Sequence, residues 1–354
     1  MKTENLFGID PSMTVIKPLL MSPHAPEMQY IVTLTLEEHL QSFKRVGLKI
    51  PDCKFIQAIE QGILKKIEHG FRGSSVRVVS KRFDDQCNCI VSTMRKIRLR
   101  RPDAVVVSTT PLITHDTDGV CVHLTRLVDN GGNLIGIGSR SGQHSIDRQI
   151  DLVQDRIKNR QIIIVEDGAF TGKTLICLLG HLKKRNTHVI AIVLGILFPA
   201  AAKNIEEQFK GELIFIDDFP SPLDWMPVHD FLPFLPNSGR VIGTSLGNSL
   251  IALNLQNHAT LSIPYVMPYG LPNEWGGLAF NTADLQDFSR HCLLASTRIF
   301  QEMEHINERI MTIGDVIGTM PATSIPVAIH QEQFDAYDLE NRIIDILNND
   351  YERI

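Results

Sequence analysis

No apolar run in this chain approaches the roughly 18 residues that a membrane-spanning helix needs. Its first residues, MKTENLFGIDPSM, place no apolar stretch behind a charged start, as a secretory leader would. The expectation is a soluble, cytoplasmic protein without a membrane partner. Cysteines are few and scattered: of Cys53, Cys87, Cys89, Cys121, Cys177 and Cys292, only Cys87 and Cys89 lie close together, in QCNC. A second pair and a nearby histidine cluster are both missing, so the spacing is a weak metal signal and suits reduced thiols. Internal repeats and low-complexity tracts are absent too. What is present is enough apolar material, 43% of 354 residues, to bury a full core without covalent staples.

Net charge is only -5, but it is unevenly placed. Between Lys44 and Arg101 fifteen Lys and Arg face five acids, a local excess of +10 that includes MRKIRLRR. Such a segment offers a footprint for nucleic acid or another polyanion; the plainer reading is a solvated face that offsets the acidic remainder. No zinc-finger or RRM signature accompanies it.

Periodicity supplies the architecture. Phe55, Ile59, Ile63 and Ile67 recur every four residues and predict a helix over 54–69. The middle of the chain alternates short apolar runs with helix-like segments, from DAVVVSTT at 103–110 through QIIIVED at 161–167 and HVIAIVLGILF at 188–198 to ELIFIDDF at 212–219. Runs that are apolar throughout, rather than alternating, predict strands covered on both faces. The fold class is therefore α/β, with a mainly parallel central sheet flanked by helices. The Pro- and aromatic-rich FPSPLDWMPVHDFLPFLPNSG that follows argues for a packed loop or lid. Leu285, Phe288, Cys292, Ala295, Ile299, Met303, Ile306 and Ile310 then mark a long amphipathic helix. The tail at 331–354 reads as another, and either helix could seal the core or support a homo-oligomer.

The informative stretch is QIIIVEDGAFTGKTL, residues 161–175. Its Gly172, Lys173 and Thr174 suggest a P-loop, but that loop has four residues between its first Gly and the Gly-Lys pair, and Gly168 is followed by only three. Glu166 and Asp167 would also repel a triphosphate. A ribose 5-phosphate fits the order of groups better. Two carboxylates at the carboxyl end of a buried strand can accept from vicinal hydroxyls. A loop opening a helix, with Thr171 and Thr174, suits one phosphate.

These residues resemble a known family. The run E-D-x-x-x-T-G-K-T from Glu166 to Thr174 is similar to the PRPP-binding motif of type I phosphoribosyltransferases. In wording it is nearest to hypoxanthine-guanine phosphoribosyltransferases, whose loop reads V-E-D-I-I-D-T-G-K-T. The resemblance implies a phosphoribosyltransferase-like core over 103–219, a basic helical region over 1–102 packed on it, and a Pro- and aromatic-rich hood with C-terminal helices over 220–354. It implies that Glu166 and Asp167 hold the ribose hydroxyls of PRPP, directly or through Mg²⁺ with water between. Gly168, Ala169, Phe170, Thr171, Gly172, Lys173 and Thr174 would surround the 5-phosphate. A pyrophosphate loop would fall at 107–119, where Ser108, Thr109 and Thr110 are candidates. Arg140, in a mobile loop over 138–149, is a further one. Segment 107–119 lacks the usual Lys or Arg and carries His115, Asp116 and Asp118, which read either as Mg²⁺ ligands or as a polar turn capping a following helix.

The base half of the site departs from the family. Phe170 stands where purine-salvage enzymes have an Asp that handles the base proton, and a phenyl ring is neither acid nor base. No Lys ends the strand at 188–198. Arg240 aligns with the stacking position, and Trp225, Phe231, Phe234 and Trp275 are candidates to stack a base. The expected function is a divergent phosphoribosyltransferase that releases pyrophosphate and joins ribose 5-phosphate to an unidentified nitrogen acceptor. The alternatives are a module sensing PRPP or a nucleotide without transferring it, and a nucleic-acid-associated accessory of a bacterial stress or defence system using residues 44–101.

Overall fold

A computed structural model describes residues 27–110, 113, 119–247, 249–255, 259–330 and 337–354. His115, Asp116 and Asp118 lie outside the described residues. The chain forms two compact units that alternate along the sequence. One gathers Asp84–Val122 and Ile150–Pro220; the other gathers Glu27–Phe83, His123–Gln149 and Ser221–Ile354.

The first unit is built on a parallel sheet. Its strands lie in the order Val120–Cys121, Val105–Ser108, Gln161–Ala169, His188–Leu197 and Glu212–Asp218. Ile162 to Val165 and Ile192 to Leu194 are fully buried, which is the burial on both faces that their unbroken apolar runs require. Helix Lys173–Lys183 turns Leu175, Leu178 and Leu182 inward, and Pro199–Gln208 turns in Ala201 and Ile205. Helix Phe83–Arg100 covers the face that carries Gly195. A methyl group there would sit 3.4 Å from the Ile90 side chain and 2.3 Å from the Asp167 carbonyl oxygen. The sheet is thus flanked by helices, as expected.

The second unit holds a three-stranded parallel sheet, Pro222–Pro227, Met28–Leu34 and Val76–Arg82, and a larger mixed sheet. In the mixed sheet Leu124–Val128 pairs antiparallel with Leu134–Ser139 and parallel with Arg240–Leu246. Helix Cys53–Gly70 buries Ile56, Ile59, Ile63 and Ile67. Helix Thr282–Asn307 buries the stripe from Leu285 to Met303, while Ile310 lies beyond its end and is exposed.

Three expectations change. The helix expected after the segment 107–119 is replaced by strands Val120–Cys121 and Leu124–Val128. The deciding signal is the turn beyond them: Asp129 Oδ1 accepts from the Gly131 and Asn133 amides, each at 2.9 Å, closing a hairpin into Leu134–Ser139. The Pro-rich segment is a packed loop only in part. Pro222–Pro227 is a strand, with prolines at both ends of an edge position where a missing N–H is tolerated. Phe231, Leu232, Phe234 and Leu235 behind it are fully buried core. The tail forms a shorter helix than its pattern suggested, Ile343–Tyr351.

Candidate functional site

The first unit brings the expected carboxylates and the Ser108–Thr110 segment together. Strand Val105–Ser108 lies beside Gln161–Ala169 in parallel register, Ser108 opposite Val165, so both chains reach the carboxyl edge of the sheet together. Thr109 and Thr110, just past one strand, donate their hydroxyls to the Glu166 carboxylate on the other; Thr110 Oγ1 stands 2.9 Å from Glu166 Oε1. Ser108 Oγ accepts the Thr110 amide at 3.0 Å and fixes the turn that aims these hydroxyls. A nearly buried carboxylate held in this way satisfies the rule that buried charge must be hydrogen-bonded. Asp167 is half-buried, and its Oδ1 accepts the Gly168 amide at 2.9 Å.

The loop is tighter than the seven residues expected. Gly168 and Ala169 still pair in the sheet, opposite Ile196 and Leu197, so only Phe170, Thr171 and Gly172 bridge to the helix. Asn204, from the neighbouring helix, donates to the Thr171 carbonyl at 3.0 Å and steadies the loop. Gly172 is the N-cap in a left-handed conformation, φ 73°, which favours glycine; it provides no side-chain cap. The first turn of the helix has no acidic residue and begins with exposed Lys173. A cation at the positive end of a helix dipole is unfavourable unless an anion joins it. Loop, free first-turn amides and Lys173 therefore form an arrangement suited to a phosphate group.

Phe170 is half-buried, its ring 4.9 Å from that of Phe198 and edge-on to it; Phe198 in turn stacks on Phe219 at 5.9 Å. Phe170 is thus part of an aromatic ladder. Nothing in the sequence near Phe170 signalled Phe198, Phe219 or Asn204, because the two rings follow other strands of the sheet and Asn204 belongs to a separate helix.

Of the remaining expected residues, Arg140 belongs to the second unit. There its amide donates to the His123 carbonyl at 3.1 Å, and burial, with the Arg140 charge, lowers the His123 pKa to about 4. Phe231 and Phe234 are sealed in that unit's core, Trp225 donates Nε1–H to Thr33 Oγ1 at 2.7 Å, and Trp275 lies beneath Arg240. The basic segment 44–101 is divided between the two units at Phe83 and Asp84. Among the described residues no three His, Cys, Asp or Glu side chains come together as a metal cluster, and no helix is long and apolar enough to cross a membrane.

No protein-family description matches this sequence, and no curated protein matches it. Among solved structures, similarity extends to orotate phosphoribosyltransferase from Aeropyrum pernix, at 10% identity and a TM-score of 0.24 over 38% of this chain and 70% of that one. A hypothetical protein from Neisseria gonorrhoeae with bound ppGpp is similar at 14% identity and a TM-score of 0.28, over 41% and 82% of the two chains. A protein from Thermus thermophilus is similar at 13% identity and a TM-score of 0.25, over 38% and 82%.

Proposed function

We propose that this chain is a divergent phosphoribosyltransferase-like protein whose first unit binds PRPP. One observation carries the reading: two consecutive carboxylates at the carboxyl edge of a parallel sheet, followed by a three-residue loop into a helix whose first turn pairs Lys173 with uncapped amides. The carboxylates suit the ribose hydroxyls, and the loop suits the 5-phosphate. Ser108, Thr109 and Thr110 would stand on the pyrophosphate side, the hydroxyls of Thr109 and Thr110 passing from Glu166 to the ligand as it enters. Mg²⁺ fits this donor set. It commonly binds through one or two carboxylates and completes its shell with water and substrate oxygens, so a protein-only cluster is not required. When bound, it would supply charge neutralisation for the departing pyrophosphate. Glu166 and Asp167 would orient the ribose, and Lys173 with the loop amides would anchor its phosphate, so that catalysis rests on positioning and charge.

Whether transfer follows binding turns on Phe170. Its packing against Phe198 removes an acid or base from the place where the family has one, which favours the second reading, a module that senses PRPP or a nucleotide without transferring it. Calorimetric titration with PRPP in the presence of Mg²⁺ tests the shared claim. Saturable binding is expected, weakened at least about a hundredfold by Glu166→Ala combined with Asp167→Ala, in line with the loss of two charge-assisted ligand contacts. Absent binding, or an unchanged constant in the double variant, overturns it. Pyrophosphate release in the presence of a panel of nitrogenous bases then separates transferase from sensor.

A further inference from the structure

The second unit contains two arginines, Arg126 and Arg240, neither of which is ion-paired to a carboxylate among the described residues. Strand Arg240–Leu246 runs parallel to Leu124–Val128 with Val241 opposite Leu127, and the same register one residue earlier sets Arg240 beside Arg126. Neighbouring strands are about 4.8 Å apart, and like charges placed directly opposite destabilise a sheet. Arg126 is exposed, and among the described residues it makes no hydrogen bond or ion pair. Arg240 is half-buried and fixed: its guanidinium carbon lies 4.3 Å from the Trp275 ring centre and 5.4 Å from that of Tyr265, and its Nε donates to Tyr265 Oη at 3.3 Å. Those contacts engage Nε and set the guanidinium over the two rings. No carboxylate is ion-paired to it among the described residues.

The nearby acids Asp224 and Asp230 feel both charges but form an ion pair with neither arginine among the described residues. Asp224 Oδ1 accepts the Trp225 amide at 2.8 Å, and Asp230 Oδ1 accepts the Gly239 amide at 2.9 Å. Burial raises their pKa values to about 6 and about 7, although Arg126 and Arg240 both pull the other way. A rigid, aromatic-backed guanidinium beside a second one, with no direct ion pair to a carboxylate for either, leaves N–H donors that an anion can bridge.

We propose that Arg126 and Arg240 form an oxyanion site on the second unit, taking the phosphate or carboxylate group of a small metabolite. The site belongs to a different unit from Glu166 to Thr174 and does not depend on the PRPP reading. Two guanidinium groups at neighbouring strand positions can each give N–H donors to one tetrahedral or planar oxyanion. Trp275 and Tyr265 hold one of them ready, which lowers the ordering cost of binding.

The chain has two tryptophans, so Trp225→Phe leaves Trp275, under Arg240, as the sole indole reporter. Trp275 fluorescence in this variant is titrated with sodium phosphate and with sodium acetate, ionic strength being held constant with sodium chloride. A saturable change with at least one anion is expected. Saturation by phosphate alone supports a phosphate ester as the ligand, and saturation by acetate supports a carboxylate. Adding Arg126→Gln, an exposed change that leaves the far-ultraviolet circular dichroism intact, should raise the half-saturation concentration about tenfold. Adding Thr174→Ala instead should leave it unchanged, which keeps this result separate from the ribose-phosphate site. The proposal is overturned if neither anion gives saturation, or if the Arg126→Gln titration superimposes on that of its parent.

Discussion

Single residues in this protein act through what surrounds them. His39 and His229 are both buried, with rings stacked 3.5 Å apart; His39 Nδ1–H donates to the Thr35 carbonyl, and Thr35 Oγ1 lies 2.8 Å from His229 Nδ1. Burial lowers the His39 pKa to about 4, and it lowers that of His229 well below the ordinary value of 6.5, with His39 and Arg140 adding to the effect. An unfolded chain takes up protons below pH 6.5 that the folded pair refuses. Stability is therefore full above pH 6.5 and falls as pH drops, the His39 share being lost by about pH 4 and amounting to at most about 3 kcal/mol. Asp230, whose carboxyl is raised, pulls in the opposite direction across the same window, since its folded form holds a proton that the unfolded chain releases. His39→Gln keeps a donor for the Thr35 carbonyl and leaves Asp230 in place. Urea midpoints of the variant and the parent at pH 7, 5.5 and 4.5 should show a smaller acid-dependent loss in the variant. Equal slopes would mean that His39 titrates normally.

At the scale of elements, the candidate site depends on close approach between the motif strand and its neighbour. Gly195 lets His188–Leu197 lie against the Asp167 carbonyl, where any side chain would meet a backbone oxygen at 2.3 Å. Gly195→Ala must displace the strand or the adjacent Ile90, and a loss of about 2 kcal/mol or more is expected, with weakened PRPP binding because Asp167 moves with its carbonyl. Chemical denaturation and calorimetry on the same preparation measure both. The strands themselves were legible because an all-apolar run such as IIIV has few alternatives once it is flanked by helical segments. The hairpin at 124–139 was not, since VCVHLTRLV offers aliphatic residues compatible with either state and only the Asp129 turn decides it. Pro222–Pro227 misled for a related reason: proline is read as a breaker, and its tolerance on an edge strand is visible only when the sheet order is known.

For the whole molecule, the division into units shapes what can be excised. A fragment spanning 103–219 would omit helix Phe83–Arg100, whose Ile90, Met94 and Ile97 are buried, while retaining the strand Leu124–Val128 without its partner Arg240–Leu246. We expect that fragment to aggregate or to be cut rapidly by protease, and a fragment spanning 84–220 to be the more resistant of the two. Equal resistance would show that the helix contributes little to the first unit. The interleaving also bears on the basic segment 44–101, because a charge count along the sequence treats as one patch what the fold distributes over two units.

The sequence by itself determined the parallel sheet and the carboxylate, loop and helix order at Glu166 to Thr174. Both are local: burial on two faces demands unbroken apolar runs, and a phosphate loop needs its residues consecutive. Tertiary structure alone decided the rest. It tied Thr109 and Thr110 to Glu166 across 57 and 56 residues of chain, packed Phe170 on Phe198, shortened the loop by keeping Gly168 and Ala169 in the sheet, and set Arg240 beside Arg126. Such pairings depend on strand register and layer order, which arise from the sum of many weak contacts over the whole chain and leave no mark at the positions they join.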